Sequence, residues 1–572
     1  MAVLKGWAAV SPRRDVLAGL TVWAVLVPES LAYATIAGVS PVVGLYAAVP
    51  SLLIYALLGS SRHLVVAPMS ATAALSAGTV ALFAGGDAAR YVALTTALAV
   101  VAGLVALLAG LLRLGFLSTF ISEPVLKGFI IGLALTIIVG QVPALLGVDK
   151  GEGEFFGEAW HVLTELSTVN WPTAAVGLGS LAVVLVLRRT LPLVPGSLVV
   201  VALGIVAVAV LHLTDHGVEI VGPIESGLPA LGLPDVGISD YLDLAGPAAG
   251  VVLVGFAEGL GAAKTYAARR GYTIDPNTEL IGLGGANLGA GLASGMVVNG
   301  SLSKTAVNGG AGARSQLSGV VVAALTVVTL LLLTGLFEQL PEATLAAVVI
   351  AAVIELVDLA ALRRFRAVWT TRLGRIYRGA ARADFLAALA TLVGVLLFDT
   401  LPGLLIGVVA SMVLLLQHAS RPNVPRLRRD SAGSWVDATG RADGEEDADI
   451  AVVRIEGGLF FANADHVRQQ LLAAAGTGVH TVVIAGETIP TVDLTGAAML
   501  EETATRLREE DVALVLAHPI GQVRDVLQTA GAQALLVVDT VDHAIALARP
   551  EHPARPATGE RPSPSAEPSD ES

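Results

Sequence analysis

Over roughly its first 420 residues the chain alternates long apolar runs with short polar breaks, many of the runs near the roughly 20 residues that span a bilayer. Clear runs occupy 16–36, 40–58, 92–112, 126–146, 173–187, 196–213, 245–268, 316–336, 341–357, 383–398 and 401–418. Three more, near 66–84, 280–295 and 300–312, are shorter or broken. Counted together they predict fourteen membrane segments, numbered here in chain order. The breaks carry an independent signal, because Lys and Arg collect on the cytoplasmic side of membrane proteins. They follow even-numbered segments: Arg62 after 2, Arg113 and Lys127 after 4, Arg188 and Arg189 after 6, and Arg269 and Arg270 after 8. Arg363, Arg364, Arg366, Arg372, Arg375, Arg378 and Arg382 follow 12. The stretch 212–244, after segment 7, holds six acidic residues and no Lys or Arg. A miscounted segment would invert this alternation, so the pattern predicts both ends of the chain on the cytoplasmic side of the cell membrane. Arg13-Arg14 before an apolar run and Ala32-Tyr33-Ala34 have the look of a cleaved signal, but they read better as the basic flank of a retained first span.

Beyond residue 420 the pattern changes. Residues 421–449 read as a polar linker. Strand-like and helix-like runs then alternate at 451–456, 464–475, 480–485, 496–509, 512–518, 520–530, 534–538 and 540–548, which predicts a small α/β domain over 450–548. Residues 549–572, rich in Pro, Ser, Glu and Arg, read as a disordered tail. Charge divides at the same place: 22 Lys/Arg against 24 Asp/Glu up to residue 420, then 13 against 24. The acidic end argues against nucleic acid as a partner, since phosphate binding needs a basic footprint. Over the whole chain 54% of residues are hydrophobic and 15% charged, against about 25% charged in soluble domains. There are no cysteines, which excludes disulfides, thiolate metal sites and Cys nucleophiles. No P-loop, HExxH, EF-hand or GxSxG pattern occurs, so neither an ATP-driven pump nor a familiar hydrolase is indicated, and no cofactor or metal is expected.

Chemistry is sought where apolar segments hold groups that lipid disfavours, a mid-membrane charge costing about 2.5–3.5 kcal/mol. Glu29 in segment 1, Glu258 in segment 8 and Lys304 in segment 10 stand out, whereas Glu355, Asp358 and Asp399 lie near segment ends. Segments 1 and 8 each hold one carboxylate. Segments 3 and 10, also seven apart, are both short and interrupted, opening Ala67-Pro68-Met69-Ser70-Ala71-Thr72 and Val298-Asn299-Gly300-Ser301-Leu302-Ser303-Lys304-Thr305. Paired interrupted segments point to a secondary transporter built of inverted repeats, with the site at the breaks. Facing helix starts, each worth about half a positive charge, together with Lys304, favour an anion. Glu258 fits such a site as the carrier of a co-transported proton. Blander readings compete: Ser70 bonding back to its own helix, Lys304 paired with Glu258 as a structural ion pair, and Glu29 capping a kink at Pro28. Gly285, Gly289, Gly291 and Gly295 give GxxxG spacings that read as helix packing, and the sequon Asn299-Gly300-Ser301 falls inside the membrane.

These residues resemble the SulP anion permeases, solute carrier family 26 in animals, over about 10–548. Pro28-Glu29-Ser30-Leu31-Ala32-Tyr33 resembles the family's Pro-Gln-x-x-Ala-Tyr, and Pro41-Val42-Val43-Gly44-Leu45-Tyr46 with Gly59-Ser60-Ser61-Arg62-His63 resembles its segment-2 signature. Gly271-Tyr272 with Asp275-Pro276-Asn277-x-Glu279-Leu280 is similar to the loop after segment 8. Ser301-Leu302-Ser303-Lys304-Thr305-Ala306 with Gly312-Ala313-Arg314-Ser315-Gln316-Leu317-Ser318-Gly319 is similar to the segment-10 region. The resemblance implies a 7+7 inverted repeat in which a core (segments 1–4 and 8–11) moves against a gate (5–7 and 12–14), an anion between the starts of segments 3 and 10, and a homodimer in the bilayer. The implied substrate shell is Glu29, Tyr33, Ser70, Ala71, Ser301, Leu302, Ser303 and Lys304, with Glu258 coupling a proton. Glu29 departs from the usual Gln, Ala67 from the common Gly, and Ala262 supplies no hydroxyl one turn after Glu258, which weakens a sodium site. The end domain resembles a STAS domain: Asp493-Leu494-Thr495-Gly496 is similar to its Asp-Ser-Ser-Gly loop, with Thr495 at the position phosphorylated in anti-sigma factor antagonists, unless Asp493 or Thr495 only caps a helix. It implies a cytoplasmic protein or nucleotide partner there. The expected activity is secondary active transport of sulfate, bicarbonate or a small carboxylate, as proton symport by alternating access. An uncoupled or sodium-driven exchanger or channel, or a membrane-anchored STAS regulator, are the alternatives. A nucleobase permease is disfavoured by Lys304 and the STAS domain.

Overall fold

The computed structural model describes residues 11–116, 122–151, 155–191, 194–224, 226–354, 380–398, 400–431, 433–438 and 447–549. The basic loop from Arg363 to Arg378, the side chain of Arg382, residues Glu355, Asp358 and Asp399, and the tail beyond Arg549 lie outside the described residues. The chain divides into two compact units, up to Leu414 and from Leu415.

All fourteen segments appear in the first unit as helical elements: α1 (Pro12–Ile36), α2 (Val42–Leu58), α3 (Ser70–Ala84), α4 (Ala88–Leu111) and α5 (Glu123–Leu146) come first. After a short amphipathic α6 (Phe155–Thr164) follow α7 (Trp171–Thr190) and α8 (Gly196–Leu211), then a one-turn α9 (Ile238–Asp243), α10 (Ala245–Arg270) and α11 (Pro276–Leu292). The series closes with α12 (Leu302–Gly310), α13 (Leu317–Phe337), α14 (Glu342–Ile354), α15 (Ala380–Phe398) and α16 (Thr400–Ala419). Among the described residues seven helices are long and apolar enough to cross a membrane. Two short strands, β1 (Val65–Ala67) and β2 (Asn299–Ser301), lead directly into α3 and α12. The interruptions legible in segments 3 and 10 are therefore strand-to-helix breaks, in elements seven segments apart, as a 7+7 inverted repeat requires.

Helices α1–α4 and α10–α13 pack as one bundle, and α5, α7, α8 and α14–α16 as a second. Small residues let the first bundle close. Helix α11 lies between α2 and α4, and its glycines face each neighbour in turn. A Cβ on Gly284 would stand 2.6 Å from the Leu107 amide, one on Gly285 2.6 Å from the Leu58 side chain, and one on Gly291 2.8 Å from the Val100 amide. The GxxxG spacing is a packing device here. Helix α13 contains a π turn over Thr329–Leu333, and the Leu330 carbonyl accepts from the Gly227 amide (3.0 Å). With Val221 N on Leu340 O (3.0 Å) and Gly232 N on Leu292 O (2.9 Å), this straps the acidic 212–244 connection onto α11 and the α13–α14 turn.

The second unit is a six-stranded sheet of order β4-β3-β5-β6-β7-β8. Strands β5 (Ile450–Arg454), β6 (Thr481–Ala485), β7 (Ala513–Ala517) and β8 (Leu536–Val538) are parallel, and β3 (Arg426–Arg429) and β4 (Trp435–Asp437) extend the sheet antiparallel. Helices α17 (Ala464–Ala474), α18 (Leu494–Glu509) and α19 (Gly521–Thr529) cover one face, and α20 (Val541–Ala548) the other. Residues of β6 alternate between the two cores, Val482 and Ile484 into the first and Val483 and Ala485 into the second. The stretch read as a linker contains β3 and β4. Its charge masked the signal: Arg426, Arg428 and Arg429 flank a buried Leu427, with Arg428 itself buried and its guanidinium on the Ala438 carbonyl (3.2 Å).

One buried carboxylate fixes how α1 enters the first bundle. Asp15, fully buried, accepts from the amides of Ser11 (2.8 Å), Arg314 (2.7 Å) and Ser315 (3.1 Å) and from the Ser315 hydroxyl (2.8 Å). Asp15→Ala leaves these donors without their acceptor, at about 1–3 kcal/mol for each one that water cannot reach. The expected outcome is a lower thermal unfolding midpoint in detergent than for the parent protein.

Candidate functional site

The two broken segments meet through their strands. β1 and β2 pair antiparallel with Val65 opposite Ser301, Val66 opposite Gly300 and Ala67 opposite Asn299. The pairing satisfies backbone groups that a broken helix leaves open in the apolar interior. Side chains satisfy others: Ser51 Oγ donates to Val66 O (3.1 Å), while Asn287 donates to Val298 O (3.0 Å) and accepts from Val298 N (2.9 Å). Ser51 lies in segment 2 and Asn287 in segment 9, so corresponding elements of the two halves hold the two breaks. Thr305 Oγ1 accepts from Val65 N (3.1 Å), Asn308 Nδ2 donates to His63 O (2.9 Å), and Gln316 Nε2 donates to Ser61 O and Leu64 O (2.8 and 2.9 Å).

Both α3 and α12 start at this pairing and direct their first amides to it. Ser301 caps α12, its Oγ accepting from the Lys304 amide (3.2 Å). Met69 precedes α3 and supplies no side-chain cap, so that helix start keeps open donors. Of the residues expected in the shell, Ser70, Ala71, Ser301 and Lys304 are buried, while Leu302 and Ser303 are exposed, Ser303 Oγ lying 3.1 Å from Ser301 Oγ.

The charges pair in a way the sequence left open. Lys304 Nζ stands 2.7 Å from Glu29 Oε2, with side-chain exposures of 1% and 6%. The same ammonium donates to the Pro68 carbonyl (3.2 Å) and lies 4.7 Å from the centre of the Tyr33 ring, whose hydroxyl donates to Glu29 Oε2 (3.3 Å). Lys304 therefore does not form the ion pair with Glu258 that was one reading of the sequence, and Glu29 does more than cap a kink at Pro28. The geometry is the reason: α1 crosses α12 at the helix start, where Lys304 projects. Glu258 in α10 is half-buried and makes no hydrogen bond or ion pair among the described residues. Beside it Gly255 and Gly259 leave room for Asn299, whose amide O and N, both buried, have no hydrogen-bond partner among the described residues.

Two residues bear on the site that the sequence reading did not connect with it. Arg188, taken as a loop flank, donates to the Ala351 carbonyl of α14 (2.5 Å) and lies within electrostatic reach of Tyr33. Asn299 figured in the sequence only within the opening of segment 10 and in a sequon inside the membrane, with no role of its own. A charge inside the second bundle was the available signal for Arg188; none marked Asn299.

In the second unit Asp493 caps α18, Oδ1 accepting from Gly496 N (2.7 Å) and Oδ2 from Phe461 N (3.0 Å). Thr495 in its first turn is exposed, beside the exposed Leu494 and Phe461.

Removing one partner of a buried pair leaves the other charge uncompensated, which typically destabilises by about 3–5 kcal/mol. Lys304→Met is expected to lower the unfolding midpoint strongly, and the double variant with Glu29→Gln to recover most of that loss. Thermal unfolding of the four proteins in detergent checks the cycle.

Residues 13–373 match the sulfate permease family and residues 441–544 the STAS domain. The chain is 37% identical over 531 residues to a probable sulfate transporter of Mycobacterium tuberculosis, 91% of each chain being covered. It is 29% identical over 543 residues to probable sulfate transporter 3.4 of Arabidopsis thaliana, covering 90% of this chain and 81% of the other. The fold is that of the murine solute carrier 26 family member A9 anion transporter (TM-score 0.83, 22% identity, 94% and 91% covered). The transmembrane domain of a cyanobacterium bicarbonate transporter is also similar (TM-score 0.58, 23% identity, 70% and 98% covered). The broken segments joined through β1 and β2, the charge buried between them and the sheet domain that follows thus belong to a membrane transporter, not an enzyme: the chain is a member of the sulfate permease family with a C-terminal STAS domain.

Proposed function

We propose that the protein is a secondary active transporter of inorganic or small carboxylate anions, working by alternating access and coupled to protons. The observation that carries this reading is Lys304, buried at the meeting of two helix starts, one of them uncapped. A buried cation beside open amides binds an oxyanion through charge-assisted hydrogen bonds. The donors come from Lys304 Nζ, the amides opening α3 and α12, and the hydroxyls of Ser70, Ser301 and Ser303. Tyr33 closes the pocket over the ammonium, and Arg188 brings positive charge from the second bundle. The names of the relatives, sulfate and bicarbonate transporters among them, support an oxyanion.

Glu258 is the proton carrier in this reading. It lies in α10, and Lys304 is the charged group acting on it electrostatically. Protonated, it adds no charge to the loaded site, so anion and proton cross together. Rocking of the α5, α7, α8 and α14–α16 bundle against the other exposes the site to each side in turn. The protein works as a dimer in the cell membrane, with both ends of the chain in the cytoplasm.

Reconstituted in liposomes, the protein is expected to take up labelled sulfate, bicarbonate or fumarate faster under an inward proton gradient. Glu258→Gln should cut that stimulation far more than it cuts anion exchange; equal loss of both would overturn the coupling role, and uptake flat with pH in the parent protein would favour an uncoupled exchanger.

A further inference from the structure

We infer that Glu29 stands in for the anion at Lys304: it is an internal carboxylate that neutralises the ammonium, and it takes up a proton when an anion displaces it. This rests on the transport reading above and adds a second titrating group, with a different task from Glu258.

Four observations converge. First, a carboxylate oxygen 2.7 Å from a lysine ammonium presents the same acceptor, at the same distance, as the oxygen of a bound oxyanion. Second, the ammonium is already engaged, by Glu29, by the Pro68 carbonyl and by the face of Tyr33, so an arriving anion finds no full charge free at Lys304 while the pair is closed. Third, both side chains are almost wholly out of solvent, where an extra unpaired negative charge is strongly disfavoured. An anion added to the closed pair would create that charge, and a proton on Glu29 removes it. Fourth, Tyr33 donates to the same Oε2 that contacts Lys304, so a second donor holds the carboxylate against the ammonium.

Among the described residues the surroundings offer no other group for the task. The charged or titratable neighbours are Lys304 of α12 and Tyr33 of α1 itself, with Arg188 of α7 and Glu258 of α10 acting on Tyr33 electrostatically. Helices α3, α8 and α13, which also pack on α1, carry no titratable residue. Helix α2 brings Tyr46 and Tyr55, the latter bonded to Glu279 (2.7 Å), and α14 brings Glu342 in its first turn. The step balances in charge. The closed pair gives up its contact, the carboxylate binds one proton from the side to which the site is open, and the freed ammonium takes the anion.

The test is anion binding against pH, with sulfate and chloride as probes because neither titrates between about pH 5 and pH 8. Binding linked to uptake of one proton weakens about tenfold per unit rise in pH. Glu29→Gln keeps an oxygen acceptor for Lys304 and Tyr33 but removes the competing charge. Its affinity is expected to exceed that of the parent protein by about tenfold or more near pH 8, to converge with it in acid, and to lose one proton from the pH slope. Glu258→Gln is expected to keep the Glu29 share of the slope. Should Glu29→Gln fold poorly, Tyr33→Phe removes only the hydroxyl that holds the carboxylate, and should tighten binding severalfold at neutral pH. If Glu29→Gln binds no tighter than the parent near pH 8 and keeps its slope, the proposal fails while the transport reading stands. If neither probe binds any of these proteins at any pH, this proposal fails, and the uptake of labelled bicarbonate and fumarate described above decides the transport reading.

Discussion

A helix interrupted in an apolar interior must find partners for the amides and carbonyls it stops bonding, and the first unit answers that demand with three residues paired against three. The β1–β2 ladder joins the two broken segments to each other, so each break supplies part of the other's missing hydrogen bonds. Much else depends on this pairing. It brings the starts of α3 and α12 together, it fixes which side chains follow them, and it requires Ser51 and Asn287 on the flanking helices to finish the accounting. Gly255 and Gly259 of α10 serve the same end, since a Cβ at either would crowd Asn299 or Gly300 of β2.

Once the helix starts face each other, charge decides the rest. Two amide ends and a lysine make a place where a negative charge is favoured, and burial makes an unneutralised lysine unfavourable. A carboxylate from α1, the element packed against the start of α12, resolves this. Glu29 and Glu258, each in the corresponding segment of its half, thus end in unlike settings: one locked to Lys304 and Tyr33, the other half-buried and without a hydrogen-bond partner among the described residues. Sequence symmetry between the halves has become chemical asymmetry at the site.

The second unit is ordered by a simpler rule. Four parallel strands with alternating side chains separate two apolar cores, and two antiparallel strands from the preceding stretch close one edge. Its Asp493 loop is tied down from both carboxylate oxygens, whereas Thr495 and its apolar neighbours Leu494 and Phe461 are left on the surface.

The number of segments, the two interrupted ones, the α/β pattern of the end domain and the identity of the unusual charges were all legible along the chain. They depend on local periodicity and on the general expense of placing a charge among apolar residues, both properties of short windows of sequence. Strands β3 and β4 escaped because charge hid a single buried Leu427 in a pattern too short to read. The partner of Lys304 could not be read either. Glu29 lies 275 positions before it in the chain and Glu258 only 46, and both carry the same carboxylate. Choosing between them takes the crossing of α1 over the start of α12, a matter of helix packing across distant segments, and only the tertiary structure holds it.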